Sequence, residues 1–210
     1  MDLMNANKDI LKQGRKVSQV LDGARKVFLR DGFEGASVDE IAREAGVSKA
    51  TLYSYFPDKR LLFMEVAKSE CRRQSDAAID RIMLSGPPED VLFEAASHMV
   101  RFFLSGFGRQ VYRICVAESD RFPELGREFY ASGPMTVHKI LVEYLRQAVE
   151  KGEFEIEDID LAADQFPELC KASLHIPMVL GLKSEFSDAE IDRVIRGAVD
   201  MFMARYGTRR

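Results

Sequence analysis

A chain of 210 residues, 46% hydrophobic and 30% charged, can bury a workable core as one large domain or two small ones. Its 30 Lys/Arg against 34 Asp/Glu give a net charge of −4, which excludes a polycationic chain. Cys71, Cys115 and Cys170 are odd in number, widely spaced and in no C-x-x-C pair, so neither a disulfide framework nor a zinc site is expected, and a reducing cytoplasm is.

Residues 1–14 carry mixed charge with partial periodicity and read as a frayed arm extending the first helix. Val17, Val20, Leu21, Ala24, Val27 and Phe28 then follow the i, i+3, i+4, i+7 pattern, closed by Asp31-Gly32 as a helix stop. Ser37-Val38-Asp39-Glu40 is a capping box, in which the serine hydroxyl serves the third amide and the glutamate reaches back. Val38, Ile41, Ala42 and Ala45 share one face of the helix it opens. Ala45-Gly46-Val47 supplies a tight turn, with Gly46 free to take a positive φ, and Ser48 caps the next helix. Three short helices thus share Val17, Leu21, Phe28, Phe33, Ile41, Val47, Leu52 and Phe56 as a core.

This is a helix-turn-helix, and double-stranded DNA is the expected partner. Ser48, Lys49, Ala50 and Thr51 leave a small, donor-rich surface of the kind that enters a major groove. Lys49, Ala50 and Thr51 are expected to read base edges. Ser37, Tyr53, Ser54, Tyr55 and Lys59 are expected to hold phosphates and so set register. Charge distribution agrees mildly: residues 1–60 hold 11 Lys/Arg and 9 Asp/Glu, leaving 19 and 25 for residues 61–210.

Residues 16–63 resemble the DNA-binding domain of TetR-type one-component transcriptional regulators. The resemblance runs from Phe28 and Asp31-Gly32-Phe33 through Ser37-Val38-Asp39-Glu40-Ile41-Ala42 to Gly46-Val47-Ser48-Lys49, Thr51-Leu52-Tyr53, Tyr55-Phe56 and Lys59. Further on, Ala117-Glu118-Ser119, Arg121-Phe122-Pro123-Glu124-Leu125, Phe129-Tyr130 and Gly133-Pro134 resemble an all-helical ligand domain common in that family. The resemblance implies a helix-turn-helix domain over residues 1–60 and a ligand-binding and dimerisation domain over residues 61–210.

A long helix is expected from Asp58 to about Leu84, stopped by Ser85-Gly86-Pro87-Pro88. Helices at about 89–105, 109–119, 134–151, 158–180 and 188–206 follow, punctuated by Gly106, Pro123, Gly133-Pro134 and Gly152. No segment alternates with period two, so the fold class is all-α. The longest apolar run, Ile176 to Leu182, is far too short to span a bilayer, and no leader pattern opens the chain. A soluble cytoplasmic protein is expected.

Successive helices of this second part carry His98, Phe102, Phe103, Tyr112, Cys115, Glu118, Phe122, Tyr130, Tyr144 and Phe166. Such residues fill a helical core, or some of them line a cavity for an apolar or aromatic small molecule, with His98, Arg113, Glu118 and His138 as polar candidates. His98, His138 and His175 are too scattered for a metal site and read as structural or surface residues. In the last helix, opened by a second capping box at Ser187-Asp188-Ala189-Glu190, Ile191, Val194, Ile195, Ala198, Met201 and Phe202 form a stripe. The stripe reads as core or as a homodimer interface, and the resemblance favours the interface. Pro167 and Pro177 imply that the helix before it is kinked, shortened or split.

The expected function is a ligand-responsive DNA-binding regulator, a repressor that holds a near-palindromic operator as a dimer and is released by a small apolar or aromatic molecule. The alternative is a ligand-independent architectural or division-linked factor of the same fold. No nucleophile elbow, metal-ligand spacing or phosphate-binding glycine loop is present, so a helical enzyme is the weakest reading, and no cofactor is expected.

Overall fold

A computed structural model describes residues 3–82 and 86–208. Eleven helices run through these residues, and among them no strand forms beyond an isolated bridge between Phe154 and Gly207. The head comprises α1 (Leu3–Gly35), α2 (Val38–Glu44) and α3 (Lys49–Tyr55), and α4 (Lys59–Ile82) leads out of it. The body follows as α5 (Pro88–Leu104), α6 (Gly106–Glu118), α7 (Pro123–Ser132), α8 (Pro134–Glu150), α9 (Ile159–Leu169), α10 (His175–Val179) and α11 (Asp188–Tyr206).

From Leu3 on the arm is part of α1, and the expected stop stands at Gly32, whose φ of 72° breaks the helical run. The expected end of α4 at Leu84 lies outside the described residues. Two other expectations are corrected. The body's third helix, α7, starts at Pro123, because proline at a first turn lacks only an N–H that the helix would leave unpaired. The segment 109–119 begins earlier, at Gly106, because Ser105 caps it by accepting the Gly108 N–H at 3.0 Å. The segment 158–180, expected to be kinked, shortened or split, is split in two, though at neither proline. Pro167 is tolerated inside α9, and the break falls after Leu169, where Ser173 takes a φ of 58°. The capping box at Ser187 and Glu190 closes on both sides, as read.

Two apolar cores result. One joins Phe28, Ile41 and Leu52 of the head to Leu62 and Phe63 of α4, and extends into Phe107, Val111 and Cys115 of α6 and Leu125 of α7. The other packs α5, α8, α9 and α11 around Leu145, Phe166, Ile195 and Phe202. A boundary at residue 60 separates motifs in the sequence, but the first core runs straight across it.

Candidate nucleic-acid interface and ligand site

The head is assembled from local caps on a buried frame. Ser37 precedes α2 and its Oγ accepts the Glu40 N–H at 3.1 Å. Gly46 takes a φ of 64° at the turn, and Ser48 opens α3 by accepting the Thr51 N–H at 3.1 Å. Leu52 and Phe56 anchor α3 inward, which leaves Ser48, Lys49, Ala50, Tyr53 and Ser54 exposed. Thr51 and Tyr55 are half-buried. The Ser48 and Thr51 hydroxyls lie 2.8 Å apart, and Ser54 donates to the Thr51 carbonyl at 2.7 Å. Lys49 pairs with Asp39 of α2 at 2.6 Å, and that hydrogen bond with its charge raises the lysine above its usual pKa.

Lys59, expected to hold phosphate, is also engaged within the chain. Its ammonium donates to the carbonyls of Phe33 and Ala36 at 2.8 and 3.1 Å and sits 4.4 Å from the Phe33 ring centroid. It therefore closes the orphan carbonyls at the end of α1, the helix-terminus task that cations perform well. The sequence reading also missed Gly23. A Cβ there would lie 2.6 Å from the Ala45 nitrogen, so glycine is what lets α1 press against the turn.

Polar ties link α1, α4 and α6 to one another. Gln110 of α6 accepts the Phe33 N–H at 2.7 Å, Arg60 meets Glu118 at 2.8 Å, and Arg25 meets the buried Glu70 at 2.8 Å. Beside them lies a cleft of about 640 Å³ bordered by α1, α4, α5 and α6. Arg25, Arg30, Arg73 and Arg101 line it, so it is a charged cleft rather than an apolar chamber.

The ten residues expected to share one pocket are dispersed. His98 and Phe102 border the charged cleft. Cys115 is buried in the head-side core, where loss of solvent pushes its thiol up to about 12, and Phe122 packs against the same core. Glu118 is held by Arg60. Tyr130 is exposed, whereas Phe166 and Tyr144 belong to the body core, where burial raises the Tyr144 phenol above its ordinary value. Phe103 and Tyr112 do meet, with ring centroids 6.3 Å apart, and His175 joins them. His175 was read as a bland histidine because nothing in the spacing links positions 103, 112 and 175. Among the described residues no three His, Cys, Asp or Glu side chains converge to hold a metal.

The stripe on α11 is also reassigned. Ile191, Val194, Ile195, Ala198 and Phe202 are buried within the chain's own core, and Met201 alone of the six is exposed. Met201, with Leu169, Phe202 and Tyr206, borders a shallow groove of about 470 Å³ between α9 and α11, rimmed by Asp164, Glu168 and Arg205. No helix among the described residues is long and apolar enough to cross a membrane.

Residues 20–66 match the model for bacterial regulatory proteins of the tetR family. Residues 90–208, more than half of the chain, match that for the C-terminal domain of AefR-like transcriptional repressors. A TetR-family transcriptional regulator from Mesorhizobium loti is 27% identical with a TM-score of 0.82, covering 93% of this chain and 98% of that one. The flavonoid-responsive regulator FrrA is 33% identical with a TM-score of 0.63, covering 94% and 100%. The transcriptional repressor AcnR of Corynebacterium diphtheriae is 31% identical over 62 residues, which span 30% of this chain and 33% of AcnR.

Proposed function

Because the chain belongs to the TetR family of DNA-binding transcriptional regulators, we propose that it is a repressor that holds a near-palindromic operator as a homodimer and releases it when a small apolar or aromatic molecule binds the body. The observation that carries this is the surface of α3. Ser48, Lys49, Ala50, Tyr53 and Ser54 stand in solvent on a helix pinned from behind by Leu52 and Phe56. Short side chains on a rigid helix suit entry into a major groove. Lys49, Ala50 and Thr51 read base edges, while Ser37, Tyr53, Ser54 and Tyr55 anchor phosphates. Lys59 fixes the end of α1 with two of its three N–H groups and offers the third to phosphate.

The second copy docks on the outer face of α9 and α11, where Leu161 and Met201 are exposed beside the groove. A two-fold axis there sets two copies of α3 about 34 Å apart, one per successive major groove. The ligand acts by favouring a form of the dimer in which that spacing no longer fits. The likeness to a flavonoid-responsive regulator over nearly the whole chain supports an aromatic effector.

A gel-shift titration on the DNA upstream of the protein's own gene tests the reading. Binding as a dimer, preferred over random DNA and falling steeply with salt as Lys49, Lys59 and their mates displace counterions, is expected. Equal affinity for both DNAs at low salt overturns it.

A further inference from the structure

We propose that His175, walled by Phe103 and Tyr112, is the polar anchor of an effector site for a neutral aromatic molecule bearing a hydroxyl group. The site deepens the ligand control described above and rests on it only for the consequence at DNA, not for binding.

Buried polar side-chain atoms nearly always have a partner. Among the described residues two lack both partner and solvent, Ser97 Oγ and His175 Nε2. A helical serine can turn its hydroxyl back to the carbonyl one turn earlier, so Ser97 has a local remedy. The imidazole has none. Its ring lies 5.1 Å from Phe103 at 62° and 5.1 Å from Tyr112 at 80°, and Tyr112 in turn meets Phe129 at 6.2 Å and 72°. Helices α5, α6, α7 and α10 thus each give one ring to the same cluster. Phe103, Tyr112 and His175 remain only half-buried, so their surfaces are not used up by packing.

The chemistry of the guest follows from these walls. Edge-to-face rings accept another aromatic ring at the same spacing. Burial first, then Lys171, lowers the His175 pKa, while Glu168 raises it, with lowering the outcome. The imidazole is therefore held neutral. Its Nε2 donates in one tautomer and accepts in the other, and a hydroxyl group can answer either. A carboxylate would need the protonated ring that burial disfavours.

The position also supplies a route to DNA. Tyr112 is on α6, the helix whose Gln110 holds the Phe33 N–H and whose Glu118 holds Arg60. A guest that displaces Tyr112 moves the helix against which the head is tied.

Calorimetry on the full chain with 2-naphthol, naphthalene and 2-naphthoate at neutral pH tests the assignment, since the three share a ring and differ in the polar group. The hydroxyl compound is expected to bind about tenfold more tightly than naphthalene, the yield of one hydrogen bond to an otherwise orphaned group, and the carboxylate most weakly. His175→Phe keeps a ring and removes both nitrogens, so it should erase the preference for 2-naphthol and leave naphthalene unchanged. If that variant does not fold, the Nε2 resonance of His175 in the wild type should shift with 2-naphthol and not with naphthalene. Absence of 2-naphthol binding, binding unaltered by the substitution, an unmoved Nε2 resonance, or tightest binding of the carboxylate overturns the proposal. A gel shift run alongside separates the two claims. Binding that depends on His175 but leaves DNA affinity untouched supports the site and rejects ligand control.

Discussion

The core around Phe28 and Phe63 draws on the head and on α4, α6 and α7, whereas the core around Phe166 and Phe202 draws on α5, α8, α9 and α11. The first is laced with polar ties at its rim: Lys59 to two carbonyls, Gln110 to Phe33, and Arg60 to Glu118. The second is packed through aromatic pairs such as Phe166 with Phe202 at 5.1 Å, and it has its own rim of ties, His138 with Asp164 at 2.8 Å and the Tyr206 hydroxyl donating to Gln165 at 2.7 Å. The ties of the first core end on the head and so hold the reading surface in orientation, whereas those of the second join helices of the body to one another. Apolar packing tolerates an outer face that a second copy can cover. Helix α6 contributes to the first core and also meets α10, so it touches both halves.

The largest expected effect tests the second core. Ile195→Ala should cost about 2–5 kcal/mol in denaturant unfolding, because a fully buried isoleucine leaves a cavity. Met201→Glu, one and a half turns on, should leave the fold intact and split the dimer in sedimentation. A Met201→Glu protein that stays dimeric moves the interface off the α9–α11 face.

Next comes the first core. Gly23→Ala drives a methyl group into the Ala45 backbone and should cost about 1–3 kcal/mol, with DNA affinity falling as the α2–α3 turn is displaced. Unchanged thermal stability and unchanged gel shift would show that α1 does not set the position of that turn.

The lysines sharpen the same contrast. Lys59→Ala should lower stability by about 1 kcal/mol, since two carbonyls lose their donor. Lys49→Ala should leave the melting temperature essentially unchanged, as its pair with Asp39 is exposed on both sides, while altering preference among operator variants. Equal losses in melting temperature for both would erase the distinction drawn between frame and reading surface.

The smallest effect belongs to the start of α11. Glu190 is lowered to about 2, first by Lys183 and then by the Ser187 N–H and hydroxyl. A carboxyl depressed in the folded state adds stability above its ordinary pKa, and that stability is lost as pH falls toward 2. Thermal melts of wild type and Glu190→Gln should differ most at neutral pH, begin to approach each other below about pH 4.5 and converge only near pH 2. A gap that does not change with pH would mean the carboxylate charge is not what closes this cap.

The sequence by itself determined the all-α class, the helix-turn-helix with its two serine caps, the glycine turn at Gly46 and the capping box at Ser187. All of these are contacts between residues three or four apart, and a one-dimensional pattern records such contacts directly. It could not separate Ile195 from Met201, because a stripe shows that a face is apolar and not what covers it. Nor could it see that Lys59 serves Phe33 and Ala36, or that Gly23 clears the backbone of Ala45. Tertiary structure alone decided those, and alone brought Phe103, Tyr112 and His175 together from three helices. The reason is distance along the chain. Residues tens of positions apart meet only after the helices between them have chosen their angles, and those angles are set by packing in all the cores at once.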